Sequence, residues 1–245
     1  MQNNRLTETK IGAAKVIVDI VPKGHCIPNV KIAPTSITIH QTGNVGASAK
    51  NNHNYMKNIN KSGARIASWH FTVGHDEIYQ AQSTNYKTYH AGCTSGNNSS
   101  IGVEICMYND KEKQVQAYKN AIALVKILMA YHKFDISKVK RHYDWTKKHC
   151  PAWLIEGKFG YNWTWFKKQL AASTTQPTQG AFKPYVVKII CDELNIRKEA
   201  SFDSPVVGVV TKGQAFTIVQ EKNGLGKLKS GAGWISLGGK YVQKV

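Results

Sequence analysis

His142, Lys148 and Cys150 fall within one short run, RHYDWTKKHCP, in which the cysteine follows the first histidine by eight residues and a proline closes the segment. Neutral imidazole nitrogen and thiolate sulfur are the preferred donors for Zn²⁺, which takes about four ligands and keeps one position open when it catalyses. Two donors leave such a site incomplete, and His40 is the best candidate for a third. The segment PTSITIHQTGN reads as a short strand with Ile37 and Ile39 on one face and His40 on the other, followed by a turn over Gln41 to Asn44. A residue at the end of a buried strand is held rigidly while its side chain still reaches a cleft. In IGVEIC the same alternation groups Ile101, Val103 and Ile105 on one face and turns Glu104 to the other.

Taken singly, each of these residues has an ordinary explanation. His40 would be a hydrogen-bonded core histidine, Glu104 a solvated carboxylate, Lys148 a surface charge and Cys150 a small buried apolar residue. Their joint pattern is what points to a metal site. His25, His53, His75, His132 and His149 read as structural, with His149 a minor competitor for the metal because it adjoins Cys150.

A scaffold must bring positions 40, 104 and 142–150 together, and strand-like and helix-like segments do alternate up to residue 171. ASAKNNHNYMKNIN predicts one helix. Residues 110–134, with Val115, Tyr118, Ile122, Val125 and Met129 at three- and four-residue spacing, predict a long amphipathic helix packed on a sheet. Pro151 suits a first helical turn, and NWTWFKKQLA reads as the last helix of this part. The stretch ASTTQPTQG (172–180) is polar, contains Pro and Gly, and shows no apolar periodicity, so it reads as a linker. Beyond it YVVKII, LNIRKEA, VVGVV, AFTIVQ, GAGWISL and KYVQKV predict short strands of a small barrel. The expected organisation is a domain over 1–171, a linker over 172–182 and a second domain over 183–245, and 245 residues suffice for both cores.

Five separated blocks now carry a resemblance: His40 in its apolar strand, WHFTVGHDEIYQ (69–80), YHAG (89–92), NSSIGVEIC (98–106) and HYDWTKKHCP (142–151). In this order, over roughly residues 20 to 170, they resemble the zinc-dependent N-acetylmuramoyl-L-alanine amidases of the amidase-2 and peptidoglycan-recognition superfamily. The resemblance implies an α/β fold, a mixed β-sheet flanked by helices with the metal at one end. It also implies hydrolysis of the bond between the lactyl group of N-acetylmuramic acid and the first L-alanine of the peptidoglycan stem peptide.

Carried over by motif, the metal ligands are His40, His142 and Cys150, the catalytic carboxylate is Glu104, and the assisting lysine is Lys148. Two neutral imidazoles and one thiolate leave Zn²⁺ a net positive charge, which favours ionisation of water near pH ~7. Glu104 would accept the water's proton and return it to the leaving amine, and Lys148 would stabilise the oxyanion. Some phage lysozyme-type amidases have a tyrosine where this chain has Trp69, and an indole supplies no phenolic hydroxyl, so catalysis is expected to rest on Glu104. Trp69 and His90 are assigned to shaping the substrate groove. His70, on the opposite strand face from Trp69, is left out of the site. Lys147 stands where close relatives often carry glycine and is expected to affect loop shape.

The second part, with LNIR, SPVVGVVTKGQAFTIV and GWISLGGKYV, resembles the bacterial SH3-like cell-wall-binding domains that follow catalytic domains in lytic enzymes. Trp234 and Tyr241 are as well explained by core packing as by contact with wall polymer.

Charge agrees with a wall target. The chain carries 33 basic and 15 acidic residues, a formal +18, with 23 against 10 up to residue 172 and 10 against 5 beyond it. Peptidoglycan of a Gram-positive wall is the expected partner, and its anionic teichoic polymers would attract such a protein in a salt-dependent way. Nucleic acid offers the same attraction, but no recognisable binding motif is present, so no nucleic-acid partner is expected. Lys15 and Asp19 interrupt the only apolar stretch near the N-terminus, so neither a signal peptide nor stable membrane insertion is expected. Five cysteines form no disulfide framework, and Cys150 must be a free thiolate to hold metal. Synthesis in the cytoplasm followed by holin-dependent release, as in a phage or prophage endolysin, is the simplest account. A bacterial autolysin with the same chemistry and a peptidoglycan-binding protein that does not cut are the alternatives.

Overall fold

Apolar runs of alternating character in the first part of the chain pair into a mixed seven-stranded sheet. A computed structural model describes residues 1–172 and 184–245 of the protein, which divides into two compact units, Met1–Thr174 and Thr175–Val245. All of the expected linker except Ala172 lies outside the described residues.

In the first unit the strands are β1 (Lys10–Ile11), β2 (Ala14–Val18), β3 (Ser36–Val45), β4 (Phe71–Val73), β5 (Glu77–Gln80), β6 (Ser100–Met107) and β7 (Val139–Arg141). They are ordered β1-β2-β5-β4-β6-β3-β7. The pairs β2–β5, β4–β6, β6–β3 and β3–β7 are parallel, whereas β1–β2 and β4–β5 are antiparallel. The helices are α1 (Ala49–Ser62), α2 (Thr94–Ser99), α3 (Lys111–His132), α4 (His142–Thr146), α5 (Ala152–Glu156) and α6 (Trp163–Ala171). This is the mixed sheet with helices that the sequence predicts.

One difference matters for the site. The turn expected over Gln41 to Asn44 is strand: β3 continues to Val45, which pairs with Met107 of β6 across an irregularity that follows Gln41. Thr42, Gly43 and Asn44 have no partners in that register and Gly43 sits at φ 66, so the turn-forming residues mark a bulge inside the strand, which resumes at Val45. His40 is therefore mid-strand, not terminal.

Ile37, Ile39, Phe71, Ile101, Val103 and Ile105 form the centre of the main core, with α3 and α6 packed over them through Tyr118, Leu124, Leu128, Phe166 and Leu170. Of the expected stripe on α3, Tyr118, Ile122 and Val125 are buried, joined by Ala117, Ala121, Leu124 and Leu128, while Val115 and Met129 stay half-exposed. Small alanines pack close to the sheet and go unmarked when only large apolar residues are counted. Caps define the helices as expected for polar residues at N-termini: Ser48 accepts from Asn51 N–H, Asp110 from Lys113 N–H and Asn162 from Trp165 N–H. A smaller cluster joins Met56 and Ile59 of α1 to Ile27, Trp69 and Ala81.

The second unit is an antiparallel sheet of β8 (Tyr185–Ile189), β9 (Glu193–Arg197), β10 (Val206–Thr211), β11 (Ala215–Lys222), β12 (Leu225–Leu228), β13 (Trp234–Ser236) and β14 (Val242–Lys244), ordered β10-β9-β13-β12-β11-β8-β14. Val187, Ile189, Ile196, Ile218, Leu228 and Ile235 are among its core residues. Strand β12 is absent from the sequence expectation because Leu-Gly-Lys-Leu lacks β-branched residues; its pairing with β11 and β13 holds it in place. Tyr241 packs against the core.

Candidate metal centre

Three adjacent parallel strands deliver three side chains in a row. In the register of β3 and β6, His40 stands opposite Glu104. Between β3 and β7, Ile39 stands opposite Arg141, so the next residues, His40 and His142, are also neighbours. Alternation turns the apolar partners Ile37, Ile39, Val103 and Ile105 toward α3 and α6, and the polar set to the opposite side. Cys150 arrives on the loop between α4 and α5, which is tied back where Tyr143 N–H donates to Cys150 O at 2.9 Å.

His40, His142 and Cys150 each offer a donor atom, and these atoms lie within 4.8 Å of one another, all buried. His142 Nδ1 is 3.0 Å from His40 Nδ1, and Cys150 Sγ is 3.9 Å from the same nitrogen. Zinc bond lengths in a tetrahedral site correspond to separations of about 3.3 Å for N···N and about 3.6 Å for N···S.

The tautomers follow from partners that can only accept. His90 Nε2 lies 3.1 Å from Ser100 O, so it carries the proton. His90 Nδ1 must then accept, and it lies 3.0 Å from His40 Nε2, which therefore donates. That leaves the His40 Nδ1 lone pair directed at His142 and Cys150. His142 is partnered by the backbone of Ala91, and its Nδ1 faces His40 Nδ1. Burial above all keeps the imidazoles neutral: His90 is pushed down to about 3, His142 to about 4, and His40 well below the usual range, with His90, His142 and Lys148 adding to the effect at His40. Two lone pairs facing each other at 3.0 Å beside a sulfur repel unless a cation lies among them, so the donor set fits a soft-to-borderline divalent ion such as Zn²⁺. Burial and then Glu104 push the Cys150 thiol up to about 12. Cation binding reverses that by stabilising the thiolate.

Glu104 is half-buried beside this trio. Burial raises its carboxyl to about 7, against the opposing influence of Lys148 and then Arg65, and its Oε2 is buried without a hydrogen-bond partner. A carboxyl poised near neutrality with a free oxygen suits a proton carrier. Lys148 is exposed on the rim of the same cleft, which encloses about 580 Å³ and is also bordered by Tyr55, Arg65, Trp69 and Tyr89.

The residues expected to shape the groove do something more specific. Trp69 borders the cleft, but the residue is only 7% exposed and its Nε1–H donates to Thr72 Oγ1 at 2.6 Å. His90 borders it too, yet its ring lies behind His40 as that ligand's hydrogen-bond partner. Gly102 makes room for it: a Cβ there would lie 2.7 Å from His90 Cγ. His70 is buried away from the trio, accepting from Gly102 N–H and bonded to Tyr86 O and Thr88 Oγ1. His149 turns outward to pair with Glu156 at 2.8 Å. The His90 pairing and the cleft position of Arg65 were missed by sequence reasoning. No spacing rule links residue 90 to residue 40, and Arg65 sits in the polar stretch after α1.

Known proteins resemble both parts of the chain. The profile of the Amidase_2 family, N-acetylmuramoyl-L-alanine amidase, matches residues 31–153, and that of the bacterial SH3 domain matches residues 192–243. N-acetylmuramoyl-L-alanine amidase XlyA of Bacillus subtilis (strain 168) is 37% identical over 178 residues, covering 71% of this chain and 54% of that protein. The solved catalytic domain of XlyA matches with a TM-score of 0.57 at 37% identity, covering 64% of this chain and 99% of that domain. A mutant endolysin from Bacillus subtilis matches with a TM-score of 0.56 at 36% identity, over 64% of this chain and 99% of that one. The chain spans a little over half the length of the curated relatives it matches.

Proposed function

The chain belongs to the N-acetylmuramoyl-L-alanine amidase family, and from that premise we propose that it hydrolyses the amide between the lactyl group of N-acetylmuramic acid and the first L-alanine of peptidoglycan. The observation that carries this reading is the strand register that sets Glu104 on one side of His40 and His142 on the other, with Cys150 closing a buried trio in a polar cleft.

His40 Nδ1, His142 Nδ1 and Cys150 Sγ would hold the zinc ion. Bound there, Zn²⁺ supplies Lewis acidity, polarising a carbonyl and bringing the ionisation of water toward neutral pH. His90, fixed by Ser100 O, keeps the proton of His40 on Nε2 and so directs Nδ1 at the ion. Glu104 accepts a proton from the attacking water at its unpartnered oxygen. After the water oxygen bonds to the amide carbon, Glu104 passes that proton to the nitrogen as the C–N bond breaks, releasing a stem peptide with a free L-alanine amino group. Lys148, whose charge reaches His40, His142 and Glu104, stabilises the oxygen anion that develops at the carbonyl. Trp69 forms a fixed wall of the groove.

The bacterial SH3 match and the net charge support a division of labour. Residues 1–171 carry the chemistry, and residues 183–245 anchor the protein to the wall, with teichoic polymers adding a salt-dependent attraction. The likeness to an endolysin supports action as a lytic enzyme of phage type. Among the described residues no helix is long and apolar enough to cross a membrane.

Purified Gram-positive walls provide the test. Their turbidity should fall with the protein and stay constant once a chelator has removed the metal, and mass spectrometry should find intact stem peptides beginning at free L-alanine. Fragments cut within the stem or the glycan would overturn the amidase reading.

A further inference from the structure

Arg65 is an exposed cation on the wall of the cleft, and no carboxylate forms an ion pair with it among the described residues. Its one direct partner is Tyr55, whose hydroxyl lies at 3.5 Å from Nη1. The cleft's two cations stand at different places. Lys148 is tied to the trio by the chain itself, since Cys150 N–H donates to Lys148 O at 2.7 Å, and it borders the cleft there. Arg65 lies on the segment that leads into β4, and β4 pairs with β6 on the side away from β3 and β7, so Arg65 borders the cleft on the Glu104 side. Glu104 is the cleft's lone carboxylate among its described lining residues and is committed to the trio's side. Arg65 is left as a positive group on the cleft wall without a carboxylate partner among the described residues.

In a muropeptide, the N-acetylmuramoyl lactyl group has no free carboxylate once it is amide-linked, and L-alanine has none either. The first negative group beyond the scissile bond is the α-carboxylate of the second stem residue, a D-glutamate joined through its side chain. That group is either a free acid or, when modified, a neutral amide. A guanidinium presents paired N–H donors that match a carboxylate and lose that match against an amide.

We propose that Arg65 is a specificity-determining residue that pairs with the free α-carboxylate of the second stem residue, making the enzyme prefer acid stems over amidated ones. The proposal rests on the amidase reading. Tyr55, on α1, braces the guanidinium from the side.

The test measures kcat/KM for two muropeptides that differ only at this α-carboxyl, acid or amide, with the wild type, Arg65→Gln and Arg65→Lys. The wild type should favour the acid about tenfold, as one charge-assisted hydrogen-bonded pair would give, mostly through KM. In Arg65→Gln the ratio should fall to about one, and Arg65→Lys should retain part of it. Using a ratio within each variant separates recognition from a general loss of folding. A wild type that cuts both substrates equally, or an Arg65→Gln enzyme that keeps the wild-type ratio, overturns the proposal and leaves the amidase reading intact. Failure of the wild type to cut the lactyl amide of either substrate overturns both.

Discussion

The part of the site carried by strands and the part carried by loops are built by different means. His40 and Glu104 are placed by the parallel register of β3 and β6, and His142 by its position directly after β7, whose Arg141 stands opposite Ile39, so neighbours are fixed before any side-chain contact is made. Cys150, Lys148 and Arg65 ride on connections, held by single ties such as Tyr143 N–H to Cys150 O. The strand-borne residues are at most half-exposed, whereas Lys148 and Arg65 are exposed. Register supplies the precision that metal binding and proton transfer require, and the loops supply charge at positions where tolerance is wider.

Substitutions can break that contrast. The largest effect should come from the metal donors of either kind: His142→Ala, directly after β7, and Cys150→Ser, on a loop, should both lose bound zinc and fall to background hydrolysis, as metal analysis and turbidity assays would record. A loop-borne Cys150→Ser that kept zinc and activity would show that the strands alone form the centre.

Glu104→Gln should separate proton transfer from metal binding, keeping zinc while kcat falls by about 10²–10⁴. It should also change stability. Because burial raises Glu104 from 4.5 to about 7, the unfolded chain gives up a proton between those values that the folded chain keeps. Stability of the metal-free protein therefore falls as pH rises through that window and stays lower above it. Thermal melts of metal-free Glu104→Gln should exceed wild type by roughly 2–4 °C at pH 8 and match it at pH 4. Equal melts at both values would remove the desolvated carboxylate from the account.

His90→Leu, which has no acceptor, sharpens the comparison from behind the metal. Losing the partner of His40 Nε2 should weaken zinc binding by about 10–100-fold, measured by competition with a chromogenic chelator. The smallest effect lies on the loop side. Lys147 ends α4 at φ 62, a left-handed conformation that suits glycine, so Lys147→Gly should change stability in denaturant by less than about 1 kcal/mol, in the stabilising direction.

How much of this was legible in the sequence also follows the strand and loop division. His40 and Glu104 could be assigned to the polar side of their strands because Ile37, Ile39, Val103 and Ile105 alternate around them. His142 and Cys150 were marked by their residue types and spacing. That His40 and Glu104 are direct neighbours was not legible, since pairing of strands some sixty residues apart leaves no local trace. Nor was the resumption of β3 at Val45, where pairing with Met107 picks the strand up again after a bulge over Thr42 to Asn44. The His90 pairing depends on a ring folding over Gly102 to reach Ser100 O, which no periodicity encodes.

A crystal of the zinc-loaded protein, measured on both sides of the zinc absorption edge, tests the centre most directly. The account predicts one anomalous peak about 2.0–2.3 Å from His40 Nδ1, His142 Nδ1 and Cys150 Sγ together, with Glu104 beside it. A peak bound through His40 Nε2, at His70 or His149, or no peak at the trio, would contradict it.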